Sequence, residues 1–208
     1  KKEPVSKKRG KAVKEEKEDH ETTTKRKVAK TEASKAEVCE ANTTSGFWLV
    51  KSEPDEYSIE ELKRQPDGIG FWDGVRNYVA RNNMQKMKVG DMCFYYHSSC
   101  KVPGIVGLAK VASTARVDPT ALDPKHKYYD PKSDPAKPRW YGVDLQYVRD
   151  FKRMVTLAEL KTYSKGELAR MDLFNKARLS VQAVSKDEWE HIMRLEEEEP
   201  EDDADGAK

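Results

Sequence analysis

From residue 46 onward, apolar and polar positions alternate in blocks that predict a series of short elements. Phe47-Trp48-Leu49-Val50-Lys51 is an aromatic and β-branched run after Gly46, and it predicts a first strand that stops at Ser52-Glu53-Pro54. Ser58 with Glu61 is a capping box opening an apolar-spaced helix from Ile59 to Arg64, ended by Pro66-Asp67-Gly68. Thr156 with Glu159 predicts a helix from Leu157 to Tyr163, and Ser185 with Glu188 opens the last one. In that helix Trp189, Ile192, Met193 and Leu195 share a face. Asn77 to Met87 also has helical spacing, with Val79, Met84 and Met87 expected inside and Arg81 and Lys86 outside.

Strands are expected at Met92 to Tyr96, Ile105 to Val117, Trp140 to Val148 and Leu179 to Val184, with Gly90-Asp91 turning the chain before the first of these. Strands outnumber helices and do not alternate regularly with them, which argues against a doubly wound parallel sheet. The fold class predicted is α+β, a compact domain around a curled mixed sheet. Asp118 to Arg139 holds five prolines and is too polar for an element, so it is a long loop of the kind that usually carries function.

Composition changes the picture at both ends. Of the 208 residues 37% are apolar and 37% charged, below the ~45–50% apolar content of an ordinary globular domain. Residues 1–45 carry 13 Lys and Arg against 9 Asp and Glu, residues 196–208 carry 1 against 8, and the 150 between them carry 25 against 20. One domain over residues 46–195 is therefore expected between a basic tail and an acidic tail, both disordered. The basic tail has no Trp, Tyr, Phe, Leu or Ile with which to offset the entropy of ordering. Its clusters Lys7-Lys8-Arg9-Gly10-Lys11 and Lys25-Arg26-Lys27 suit a bipartite nuclear-import signal, with an import receptor as partner and the nucleus as compartment. The acidic run reads as a solubilising tail.

The opening KKEPVSKKRGK has no apolar segment behind it, and no stretch approaches the ~18 apolar residues of a membrane span, so neither secretion nor membrane insertion is expected. Cys39, Cys93 and Cys100 form no C-x-x-C pair, and His20, His97, His126 and His191 lie far apart. No metal, cofactor or disulfide is expected, and the assembly is expected to be a monomer. An enzyme would have to use Cys93 or Cys100 with His97 and Asp91, but strand spacing puts Cys93 and His97 ~13 Å apart, too far for proton transfer.

Three stretches concentrate aromatic and polar side chains. Phe71-Trp72-Asp73-Gly74-Val75-Arg76-Asn77-Tyr78 follows a Gly-rich turn and precedes a helix that Asp73 or Asn77 is placed to cap. Tyr95-Tyr96-His97-Ser98 runs through Lys101 and Pro103 into a small polar loop. Arg178-Leu179-Ser180-Val181-Gln182 places Ser180 and Gln182 on one side of a strand, where they are suited to a base edge or to cross-strand pairing.

These residues resemble the EVE domain family. The resemblance is carried by Trp48 to Pro54, Trp72 to Asn77, Gly90-Asp91, Phe94 to Ser98, Pro103 to Gly107, Tyr129 to Lys132, Pro138 to Trp140 and Arg178 to Gln182; Ala183 departs from it where the family usually has proline. It implies a PUA-like mixed β-barrel with peripheral helices, akin to the YTH and SRA modules. It also implies a non-enzymatic reader holding a modified base, methylated or hydroxymethylated cytosine in DNA, in an aromatic pocket. Readers of modified RNA and nuclear protein-interaction modules are the alternatives. By the same resemblance Lys51, Ser52, Glu53, Trp72 and Asp73 form one wall, and His97, Ser98, Lys101 and Pro103 the opposite one. Arg76, Asn77 and Ser180 complete the expected nucleic-acid site.

Overall fold

The protein is described by a computed structural model covering residues 46–198. The basic tail and the end of the acidic run lie outside the described residues. In chain order the elements are β1 (Phe47–Ser52), α1 (Pro54–Tyr57), α2 (Ile59–Arg64), β2 (Ile69–Trp72), α3 (Tyr78–Met84), β3 (Met92–His97) and β4 (Gly104–Val111). There follow β5 (Arg116–Val117), β6 (Tyr141–Thr156), α4 (Leu157–Thr162), α5 (Asp172–Asn175), β7 (Val181–Ala183) and α6 (Lys186–Glu197). No helix among them is long and apolar enough to cross a membrane.

The strands form one mixed sheet in the order β2-β6-β4-β3-β1-β7, with β5 paired to β6. Only β1 and β3 run parallel, Trp48 opposite Cys93 and Val50 opposite Tyr95. Pleating sends alternate β1 residues to opposite faces, and both faces are covered, so the strand reads as an unbroken apolar run. Trp48 and Val50 enter a core with Cys93, Tyr95, Leu145 and helix residues Leu62 and Met84. Leu49 enters a second core with Phe94, Ile105 and the α6 residues Trp189, Ile192 and Leu195. The expected α+β class and curled mixed sheet are present. The barrel is open: among the described residues no ladder joins β2 to β7. Helix α3 packs against both β7 and β6, and Asn83 Nδ2 donates to Val181 O at 2.8 Å.

Several boundaries differ from expectation. The stretch 69–72 is strand β2, not a turn, paired with β6 from Ile69–Gln146 to Trp72–Val143. The predicted strand Ile105 to Val117 is two strands. Strand β6 runs eight residues past the predicted end at Val148; its polar second half is held by carboxylates, Arg149 Nη2 to Glu196 Oε2 at 2.7 Å and Arg153 Nη1 to Glu159 Oε2 at 2.9 Å. Glu196 is accordingly buried and belongs to α6. Both full capping boxes, at Ser58 and Ser185, are formed; Thr156 caps α4 without the reciprocal half. In and just after α3 the inward residues are Met84 and Met87, as expected, together with Ala80, while Val79 is exposed. Gln182 is fully buried, its amide donating to Leu179 O, and does not face outward beside Ser180.

Candidate nucleic-acid interface

The seam between β2 and β7 holds a cavity of about 810 Å³. Strand ends supply its walls. From the end of β1 and the following turn come Lys51, Ser52 and Glu53, and from β2 and its exit come Trp72, Asp73, Arg76 and Asn77. Ser98 and Ser180 close it from the β3 exit and the β7 entry. The structure thus brings together nine of the residues the sequence singled out. His97, Lys101 and Pro103 do not line it. His97 instead accepts the Ile59 N–H at Nε2, 3.2 Å, and burial lowers its pKa, so the neutral ring serves as a helix-end acceptor.

Trp72 ends β2 with its indole buried, meeting Tyr95 and Tyr57 edge-to-face at 5.5 and 6.1 Å. Backbone bonds around it fix the floor. Ser52 Oγ donates to Tyr57 O at 2.6 Å, Tyr95 Oη to the same carbonyl at 2.9 Å, and Ser98 Oγ to Ser52 O at 3.1 Å. Lys51 Nζ donates to Ala177 O at 2.7 Å, and its burial lowers its pKa.

The next turn is clamped by Asp118, a fully buried carboxylate. Its Oδ2 accepts from Arg76 Nη1 at 2.7 Å and Gly74 N at 3.1 Å, and its Oδ1 from Thr120 N and Oγ1. Burial alone would raise its pKa, but the bonds from Thr120 and Arg76 outweigh it and hold the group below the usual range. Arg76 also donates from Nε to Tyr128 O at 2.7 Å. Its guanidinium is therefore a strut between the β2 exit and the long loop. Asn77, not Asp73, caps α3, its Oδ1 accepting from Val79 N and Ala80 N.

That division leaves Asp73 as an acceptor open to the cavity. Partial burial, with the Asp118 carboxylate second, raises its pKa. The Asn77 amide N–H groups, the Ser180 hydroxyl and the Arg178 guanidinium likewise face no protein partner among the described residues. The cavity therefore combines aromatic walls with two unengaged carboxylates, Asp73 and Glu53, and several donors, an arrangement able to hold a flat polar heterocycle.

Sequence reasoning missed Glu56, Tyr57, Ser99 and Tyr128 as lining residues, and it singled out the stretches holding Phe71 and Arg178 without assigning these two to the site. Tyr128 matters most: the Pro-rich loop folds back so that its hydroxyl donates to Glu56 Oε2 at 2.7 Å, beside the Lys127–Glu56 ion pair. An aromatic pair, Tyr128-Tyr129, inside a polar loop was the available signal.

Comparison with known proteins agrees with this architecture. The EVE domain model matches residues 46–195. Thymocyte nuclear protein 1 of Danio rerio is 48% identical over 168 residues, covering 74% of this chain and 73% of that protein. The Homo sapiens protein of the same name is 44% identical over 171 residues, 75% and 76% of the two chains. The crystal structure of human THYN1 in complex with DNA containing 5-methylcytosine superposes with a TM-score of 0.73 at 44% identity, covering 74% of this chain and 99% of that one. With a family model spanning nearly every described residue, and relatives this similar over most of their length, the chain belongs to the EVE domain family.

Proposed function

We propose that this domain is a non-enzymatic reader of modified cytosine in DNA, and that the nucleotide is held in the seam cavity. One observation carries the reading: an aromatic-walled cavity with a free carboxylate and free donors, in a fold shared with a protein solved on 5-methylcytosine DNA. A base inside a duplex offers no face for stacking, so it is flipped or met unpaired. That costs a few kcal/mol, offset by stacking at ~1–3 kcal/mol per base. Asp73 accepts from the cytosine N4 amino group, the pairing that a carboxylate makes with that base, while Asn77 and Ser180 donate to its acceptor edge. Lys51, Ser52, Glu53, Trp72 and Ser98 shape the wall.

The non-enzymatic reading is supported by the state of Cys93 and His97, two members of the nucleophile set among the described residues. Cys93 is wholly buried and its thiol pKa is pushed far up by that burial, which disfavours the thiolate, and His97 Nε2 is occupied by the Ile59 N–H. The same reading places the protein in the nucleus, carried there by the basic clusters of residues 1–45. The test of the pocket is titration of otherwise identical DNA and RNA oligonucleotides bearing cytosine, 5-methylcytosine or 5-hydroxymethylcytosine at one position. A modified DNA strand binding more tightly than its unmodified twin is the expected result. Equal affinities across the panel refute the reading, and a preference confined to RNA moves it to the other nucleic acid.

A further inference from the structure

Charge near the cavity mouth is mostly spent inside the protein. Arg76 is bound to Asp118, Lys127 to Glu56, and Lys51 to a backbone carbonyl. A different picture holds one step along the chain. Asn77 lines the cavity, and the next residue, Tyr78, lines a separate groove of about 500 Å³ with Arg81, Lys132, Lys137 and Arg139. Tyr78 is 50% exposed, yet its ring is fixed, stacked on Trp140 at 4.8 Å with the Arg81 guanidinium 4.9 Å from its centroid. Arg81 is held in place by Arg139 O at 2.8 Å and by Asn82, neither of which neutralises it. Among the described residues Lys132 and Lys137 are exposed without a carboxylate partner, and Arg139 has a single 3.7 Å contact to Asp130. Asp134 is the one acidic residue lining this groove.

We propose that this groove is a phosphate-backbone site for the DNA strand whose nucleotide occupies the cavity, with Arg81, Lys132, Lys137 and Arg139 as its cations. The proposal rests on the reader function above and adds the partner chemistry that function leaves unassigned. A flipped base contributes affinity through stacking, but register along the strand comes from phosphates. Here a planar, pre-placed guanidinium and three further cations lie beside the cavity, while at its mouth Lys51, Arg76 and Lys127 are engaged elsewhere and, among the described residues, Arg178 alone is open. A polyanion is the occupant that such an excess of uncompensated charge fits.

The experiment uses the full chain and duplex oligonucleotides with and without one 5-methylcytosine, titrated over a series of salt concentrations. Changing Lys132 and Lys137 together to Ala removes two exposed cations without touching the core, and melting temperature checks that it does not. The slope of log affinity against log salt is expected to become shallower by about 1.8, about 0.9 per lost phosphate contact. Modified and unmodified DNA should weaken by the same factor, and the paired changes Lys132→Arg and Lys137→Arg should restore the parent slope. The doubly changed Lys161→Ala, Lys165→Ala protein, altered on and just after α4, is expected to keep it. An unchanged slope in the groove variant, or an equal fall in the α4 variant, overturns the proposal. A shallower slope in the groove variant with no preference for the methylated strand in any protein instead refutes the reader function and leaves the groove as a DNA site.

Discussion

Trp72 and Asp73 are neighbours whose side chains serve different ends. The Trp72 indole is 6% exposed and belongs to the core under the sheet, yet its remaining surface lines the cavity. A change there must register in both stability and binding. Trp72→Ala is expected to lower unfolding free energy by about 3–5 kcal/mol and, well below its melting point, to weaken the methylated oligonucleotide by about 1–3 kcal/mol. Calorimetry and titration read the two effects separately, and a loss confined to stability would remove Trp72 from the site. Asp73 has the opposite character. Its pKa lies above the ordinary 3.8 because of partial burial and the nearby Asp118 carboxylate. The sign follows: stability from such a group is greatest below its unfolded pKa and declines as pH rises through the folded value. Asp73→Asn is therefore expected to raise the melting temperature at neutral pH and to give no gain below pH 3.8, while weakening cytosine recognition. Asp118, with its pKa depressed, contributes the other way, and its share is lost as acid protonates it. From sequence the Trp72-Asp73 pair was visible as a polar-aromatic cluster, but its division of roles was not, since only the fold reveals that Asn77 takes the cap and frees Asp73.

Among the elements, the long loop Asp118 to Arg139 depends on one glycine. Gly74 has φ +69, and a Cβ placed on it would stand 2.7 Å from the Tyr128 ring. Gly74→Ala combines the left-handed penalty of about 1–2 kcal/mol with displacement of the ring that walls the cavity. It is expected to lower the melting temperature and to raise protease cleavage within 118–139; cleavage unchanged from the parent would show the loop is held independently of Tyr128. Elements with local signals were legible: the run of β1, and the Ser58 and Ser185 boxes that start α2 and α6. Strand β2 was hidden because it carries Gly70, which reads as a turn but is there because Tyr57 Oη would lie 2.0 Å from any Cβ. The far half of β6 was hidden because Arg149, Lys152 and Arg153 suggest solvent, whereas acidic partners from α4 and α6 reach them. The cavity was legible only in part, because Tyr57 and Tyr128 reach it through topology that no spacing encodes.

For the whole molecule, the buried residues of the two cores among the described residues run from Trp48 to Leu195. Removing residues 1–45 is expected to leave the melting temperature of the domain unchanged and to abolish nuclear concentration of a fluorescent fusion; a truncated protein still concentrated in the nucleus would discard the import assignment. The sheet order has one more consequence, for the history of the chain. Its first strand is paired with its last, Trp48 facing Ala183, and contacts this distant in sequence close late and slowly. A ribosome-bound chain lacking β7 has no Ser180 to line the cavity and no Val181 carbonyl for Asn83. The cavity therefore comes into existence after most of the core, and in the folded protein the three-residue β7 is where amide hydrogen exchange would first report its transient loss.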